Sequence, residues 1–273
     1  MSLKMITTDI DGTLVNNNKK ITARTIATLR AARSRGIYVV LCTGRPLVGI
    51  REYLQELHLD ALDDFVITYN GAQVLRAASQ EVVVSNLLTG SDYYQLEQLT
   101  QSLGVKSQAV TPDGNLYVTS ADISPVSVMD SYFTKMPLHY RPQVELDHAP
   151  SLAKYMWADQ PAILDAASLK LPQSFKDRYY CVHSEEWFFE FMARQATKGQ
   201  AMLSLAERLG IKPAEIMAIG DQDNDLTMIT AAGMGVAMGN ANQRVKQAAK
   251  FVTSDNEHDG LAVAVEKFSR YSE

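Results

Sequence analysis

The sequence predicts an α/β protein, a Rossmann-like parallel-sheet core with an inserted α+β cap domain, and three observations carry that prediction. Short apolar runs alternate with amphipathic segments near both ends of the chain, and the middle lacks that rhythm. Ile37-Tyr38-Val39-Val40-Leu41-Cys42 is one continuous apolar run closed by Thr43-Gly44. A strand with no polar alternation is buried on both faces, as in parallel sheets covered by helices. Two acidic clusters, Asp9-Ile10-Asp11-Gly12-Thr13 and Gly220-Asp221-Gln222-Asp223-Asn224-Asp225, each follow directly on a strand-like run. Open parallel sheets bind ligands just beyond the carboxyl ends of their strands.

Residues 4–8 read as the first strand. Thr22 to Arg35 reads as a helix with Ile26 and Leu29 on one face and Gly36 just past its end. The run 37–42 completes a β-α-β unit. Phe65 to Tyr69 forms a further strand leading into Asn70-Gly71, a strong hairpin signal, with Ala72 to Leu75 and Glu81 to Ser85 as the next strands. The α/β rhythm returns near the C-terminal end. Thr197 can cap a helix running to Leu209, Gly210 ends it, and Ile216 to Ile219 is the next strand. A helix from about Asn224 to Ala232, a strand Gly235 to Met238, a helix from Asn242 and a short strand Phe251 to Thr253 follow. Leu261, Val265 and Phe268 mark one face of a final helix, and Met217, Met228, Met234 and Met238 read as core.

Most prolines and aromatics fall between about 86 and 194, with irregular strand-like pieces at Asn115 to Thr119 and Tyr179 to His183 and a turn at Asp113-Gly114. The expected organisation is a catalytic core of residues 1–86 and 195–273 with a cap of residues 87–194. A domain joined to its host by two stretches of chain can hinge over a site at the host's edge.

The chain has 273 residues, 46% hydrophobic and 21% charged, which is the composition of a globular protein and not of a disordered one. A net charge of −5 and no basic stripe argue against nucleic acid as a partner. No apolar run approaches a membrane span, and Asp9 arrives too early to leave room for the apolar stretch of a signal peptide. Cys42 and Cys181 fit no metal or redox spacing and read as buried, reduced thiols. A cytoplasmic protein is the expectation, with its oligomeric state left open.

The acidic clusters carry the chemistry. Two carboxylates about 4 Å apart repel by roughly 4 kcal/mol at an effective dielectric near 20, and Mg²⁺ neutralises such a group well. Thr43 offers a hydroxyl, Gly12 and Gly44 allow close approach of backbone N–H groups, and Lys198 offers positive charge at the first turn of a helix. With a bound cation these make a phosphate cradle. Position suggests a division of labour. Asp9 attacks phosphorus and Asp11 serves as general acid and then base. Asp9, the Asp11 main-chain carbonyl and Asp221 hold Mg²⁺, with Asp225 beside them, and Asn224 and Asp225 orient metal waters and phosphate. Lys198 offsets charge on the phosphoryl oxygens.

Asp-Ile-Asp-Gly-Thr at 9–13, Thr43-Gly44-Arg45, Lys198-Gly199 and Gly220 to Asp225 resemble the four ordered motifs of the haloacid dehalogenase superfamily. Tyr69-Asn70-Gly71-Ala72, Met238-Gly239-Asn240-Ala241 and Asp259-Gly260 resemble its Cof-type sugar-phosphatase branch, in which the cap lies between the second and third motifs. The resemblance implies that Asp9 is the nucleophile and that main-chain groups of Ile10 and Gly44 also bind phosphate. Met192-Ala193-Arg194-Gln195 departs from the Pro-containing segment expected before the lysine, which touches the hinge and spares the chemistry.

Each residue has a bland alternative. Asp-x-Asp-Gly-Thr alone could be a capped turn, Lys198 alone a surface lysine, and Asp223 or Asn224 a helix cap. Four motifs in order favour the chemical reading. The expectation is a Mg²⁺-dependent phosphatase of small phosphorylated metabolites, sugar phosphates foremost, working through an aspartyl phosphate. The alternatives are a phosphomutase of the same superfamily and a phospho-accepting signalling protein. Arg45 stands open between a phosphate contact and a salt bridge from core to cap.

Overall fold

The computed structural model describes residues 2–142 and 151–269. They divide into two compact units, one formed by the chain up to Gly44, Ile50–Ser85 and the chain from Thr197 onward, the other by Arg45–Gly49 and Asn86–Ala196.

The first unit begins with β1 (Met5–Thr8), whose four residues are all buried. Helix α1 (Ala23–Ser34) follows, capped by Thr22, which accepts a hydrogen bond from the Thr25 N–H. It buries Thr25, Leu29 and Ala32, with Ile26 half-buried. β2 (Tyr38–Cys42) is the predicted apolar run. Helix α2 (Arg51–Leu57) was not anticipated; it is short, has no side-chain cap at its start and ends on His58 in the left-handed conformation. β3 (Phe65–Thr68), β4 (Gln73–Arg76) and β5 (Val82–Ser85) form an antiparallel meander.

The other unit contains α3 (Gly90–Leu103), β6 (Ser107–Val110), β7 (Leu116–Val118), α4 (Pro125–Thr134), β8 (Leu138–Tyr140), β9 (Lys154–Ala158), α5 (Pro161–Leu169), α6 (Gln173–Arg178), β10 (Tyr179–Glu185) and β11 (Phe188–Ala193). Its sheet has the order β10-β11-β9-β6-β7-β8 and is antiparallel except between β7 and β8. Tyr155, Trp157, Tyr179, Phe189 and Phe191 build an aromatic core on one face, with Trp157 and Phe191 centroids 4.9 Å apart. Two polar residues of α3 lock onto that core. Glu97 accepts from the Tyr155 hydroxyl and Thr100 from the Trp157 indole N–H, both at 2.7 Å, so sliding the helix would strand buried polar groups.

The chain then returns to the first unit. Thr197 caps α7 (Lys198–Arg208) by accepting from the Gln200 N–H. β12 (Ile216–Gly220), α8 (Leu226–Ala231), β13 (Met234–Ala237), α9 (Gln243–Ala248), β14 (Phe251–Val252) and α10 (Gly260–Ser269) follow. The helix expected from about Asn224 opens as a 3-10 turn over Asp223–Asp225 and becomes α-helical at Leu226, with the Asp225 carboxylate accepting the Asp221 and Gln222 N–H groups. Met234 and Cys181 are half-buried, short of the full burial expected; Cys42 is buried.

The sheet of the first unit has the order β14-β13-β12-β1-β2-β3-β4-β5 and is parallel from β14 to β3. Met5 pairs with Tyr38 on one side and Ile216 on the other. Strand succession runs outward from β1 in both directions, so the order reverses between β1 and β12. That reversal opens a crevice at the carboxyl ends of these two strands. Among the described residues no helix is long and apolar enough to cross a membrane.

Candidate active site

Asp9 extends β1 by one residue, its N–H bonding the Ile219 carbonyl at 3.0 Å. The chain then turns on the Ile10 carbonyl, which accepts from the N–H groups of Thr13, Leu14 and Val15. Ile10 is fully buried. Gly12 has φ +77°, and a Cβ there would lie 2.5 Å from Asp221 Oδ2. Only glycine lets this loop rest against Asp221. Thr13 Oγ1 donates to Asp221 Oδ1 at 2.8 Å, and Asn240 donates to the Gly12 carbonyl at 2.8 Å.

Lys198, the first residue of α7, has no exposed surface. Its Nζ donates to Asp9 Oδ1 and to Asp225 Oδ1, both at 2.6 Å. Asp225 Oδ2 accepts the Asp221 and Gln222 N–H groups at 2.8 and 3.0 Å. Asp9, Asp221 and Asp225, all buried, each offer a carboxylate oxygen within 4.8 Å of the others.

Three carboxylates here face one ammonium, so full ionisation leaves negative charge in excess. Burial pushes the Asp9 carboxyl well above its ordinary range; Lys198 pulls it back, and Asp225 and Asp221 push it further up. Burial, followed by the Asp225 charge, pushes Asp221 up to about 6. Burial disfavours the Lys198 ammonium, but Asp225 and Asp9 outweigh it and raise the lysine above its ordinary value. The cluster therefore calls for further positive charge, and its all-oxygen donor set suits a hard divalent cation.

The remaining predicted residues surround this cluster or stand apart from it. Thr43 is buried at the end of β2, with its N–H on the Ile67 carbonyl at 3.0 Å. Gly44 lies against Asn70. Asn224 donates to Asn70 Oδ1 at 3.0 Å, while Asp223 takes Asn242 and Arg244. Neither side chain caps α8. The Asp11 carboxylate lies outside the three-carboxylate group and pairs with Lys19 at 2.7 Å on the surface. Arg45 belongs to the other unit, where its Nη1 donates to the Gly49 carbonyl at 3.3 Å. Sequence reasoning missed Lys19 as a neighbour of the site, and missed the contacts, though not the loops, of Thr13 and Asn70. Thr13 stood inside a recognised motif, whereas Lys19 and Asn70 reach their partners only through left-handed turns.

Residues 6–265 match the haloacid dehalogenase-like hydrolase family. The chain belongs to that family. Within the haloacid dehalogenase-like hydrolases it falls in the Cof-type branch. "Putative phosphatase YxeH" of Bacillus subtilis strain 168 is 41% identical over 267 residues, covering 96% of this chain and 97% of that protein. The 5-amino-6-(5-phospho-D-ribitylamino)uracil phosphatase YcsE of the same organism is 30% identical, covering 97% and 95%. A haloacid dehalogenase-like hydrolase from Bacteroides thetaiotaomicron superposes with TM-score 0.85 at 30% identity, covering 97% and 99%. The HAD subclass IIB sugar phosphatase BT4131 gives 0.80 at 26%, covering 97% and 98%. The protein is thus a hydrolase whose relatives carry phosphatase names.

Proposed function

We propose that this haloacid dehalogenase-like hydrolase is a Mg²⁺-dependent phosphatase of small phosphorylated metabolites, sugar phosphates foremost, that works through an aspartyl phosphate on Asp9. The observation that carries the proposal is the buried group of Asp9, Asp221 and Asp225, with Lys198 bridging two of them, at the strand-order reversal. The names of YcsE and BT4131 lend support to a small phosphorylated substrate.

In this proposal an Asp9 carboxylate oxygen attacks phosphorus and the bond to the leaving oxygen breaks. Asp11 gives that oxygen its proton, then takes one from the water that attacks the aspartyl phosphate, which frees phosphate and regenerates Asp9. Lys198 stabilises charge on the phosphoryl oxygens and draws the Asp9 carboxyl back toward its ionised form. The Thr43 hydroxyl, main-chain N–H groups of Ile10, Gly12 and Gly44, and the Asn224 amide hold the phosphate. Asp9, Asp221 and the Asp11 main-chain carbonyl would hold Mg²⁺, with Asp225 beside them, and the ion when bound cancels repulsion between nucleophile and phosphate. Asp225, with both oxygens already bonded, chiefly orients Lys198 and the Asp221 loop. Residues 87–194 act as the cap that selects the substrate.

The test is release of inorganic phosphate from a panel of sugar phosphates, cofactor phosphates and an aryl phosphate, with Mg²⁺ or with chelator. Release that requires Mg²⁺ is the expected result. Isomerised sugar phosphate without free phosphate would indicate a mutase, and a stable phosphoprotein without turnover would indicate a signalling role.

A further inference from the structure

We infer that Asn70 is a positioning residue that fixes the phosphate-holding loops, an inference that rests on the phosphatase reading above. Tyr69, Asn70 and Gly71 have φ of 50°, 55° and 102°, three successive residues in the left-handed half of backbone space. Tyr69 and Asn70 are both 1% exposed. Such strain persists only where its surroundings over-determine it.

The surroundings are the loops of the site. The Asn70 N–H donates to the Thr43 carbonyl at 2.9 Å, and Asn70 Oδ1 accepts from Asn224 Nδ2 at 3.0 Å. The same amide lies where a Cβ on Gly44 would come within 3.2 Å of both its oxygen and its nitrogen. One residue on, a Cβ at Gly71 would sit 2.3 Å from the carbonyl oxygen of Thr197, the cap of the helix that begins with Lys198. The tripeptide therefore abuts the loops carrying Thr43 and Gly44, Asn224, and Lys198. Glycine would adopt the Asn70 conformation with no strain. Conformation alone therefore does not call for asparagine at 70. Its amide is what links Asn224 to the Gly44 loop.

That distinction supplies the test, because Asn70→Gly keeps the backbone and deletes the amide. The variant should melt at or above the wild-type temperature. Its kcat/KM on a sugar phosphate with Mg²⁺ should fall by about 10- to 100-fold, the size of a misplacement effect. Its affinity for inorganic phosphate, read by calorimetry, should fall as well. Asn224→Ala should reproduce the loss, and the double variant should be no worse than the poorer single one. Phosphate affinity and kcat/KM within twofold of wild type, or losses that multiply in the double variant, would overturn the inference. A lowered melting temperature would overturn it too, by making Asn70 merely structural. Wild-type protein that binds phosphate but hydrolyses no ester defeats the phosphatase reading instead, while the calorimetric comparison still judges Asn70.

Discussion

Replacing Lys198 with methionine tests the electrostatic account of the site most directly. Methionine is unbranched and fills most of the same space, so the main change is loss of an ammonium that touches Asp9 and Asp225 at 2.6 Å. At 2.6 Å each unit-charge pair is worth about 6 kcal/mol gross at an effective dielectric of 20. The desolvation of buried ions offsets much of that, and removing one partner of a buried pair costs about 3–5 kcal/mol net. We expect Lys198→Met to lose that much stability in urea titrations at pH 7.5 with chelator present. The sign with pH follows from linkage. Without the ammonium the Asp9 and Asp221 carboxyls rise further above their unfolded values, so the folded state binds more protons than the unfolded one. Stability then falls as pH rises between the unfolded and folded pKa. The deficit should accordingly be widest at alkaline pH and shrink on acidification, and Mg²⁺ should restore part of it. Turnover should drop by at least about 10²-fold. A variant as stable as wild type in chelator, or a deficit that ignores both pH and Mg²⁺, would refute the reasoning.

Asp9→Asn should abolish phosphate release, by at least about 10³-fold, yet unfold in chelator at the same or higher urea concentration because it removes a carboxylate that burial already disfavours. Gly12→Ala should weaken Mg²⁺ binding and lower stability by about 1–3 kcal/mol, since its Cβ meets Asp221 Oδ2 at 2.5 Å; titration with the metal ion followed by calorimetry reads both. In the inserted unit, Asp92 is raised by burial but lowered more by bonds from Thr89, Tyr179 and Arg178, ending below its ordinary value. Its contribution is therefore present above about pH 4 and lost as pH falls through the folded value. Asp92→Asn should cost about 1–3 kcal/mol near neutrality, and acid titration should show the gap to wild type closing at low pH.

Elements with explicit punctuation were legible before the structure. α7 begins and ends where Thr197 and Gly210 place it, and β2 lies inside its apolar run. α2 was invisible because seven residues without a side-chain cap leave little periodicity to detect. At the site, acidic clusters placed directly after strand-like runs brought Asp9, Asp221 and Asp225 under consideration, motif order added Lys198, and the fold gathers all four. The turn-dependent contacts could not be read in advance. Lys19 reaches Asp11 only because its own φ is 58°, and Asn70 meets Asn224 across 154 positions of sequence. Such pairings follow from chain geometry that no local pattern encodes. The expected helix from about Asn224 corresponds to a 3-10 turn over Asp223–Asp225 that leads into α8, with the Asp225 carboxylate capping the Gln222 N–H.

The pairing of β1 with both Tyr38 and Ile216 neighbours has a consequence for how the protein is made. The strand that covers the second edge of β1 is encoded some two hundred codons after β1 itself. At about 5–20 residues per second a ribosome needs on the order of 10–40 s to bridge that interval. Throughout it one edge of β1 stays without its partner strand, and an exposed strand edge is a template for aggregation. Asp9 meanwhile lacks Lys198 and Asp221, so under the proposed mechanism an unfinished chain has no working site. Under that mechanism activity arises only once translation has passed β12, and a chain truncated upstream of residue 216 should release no phosphate.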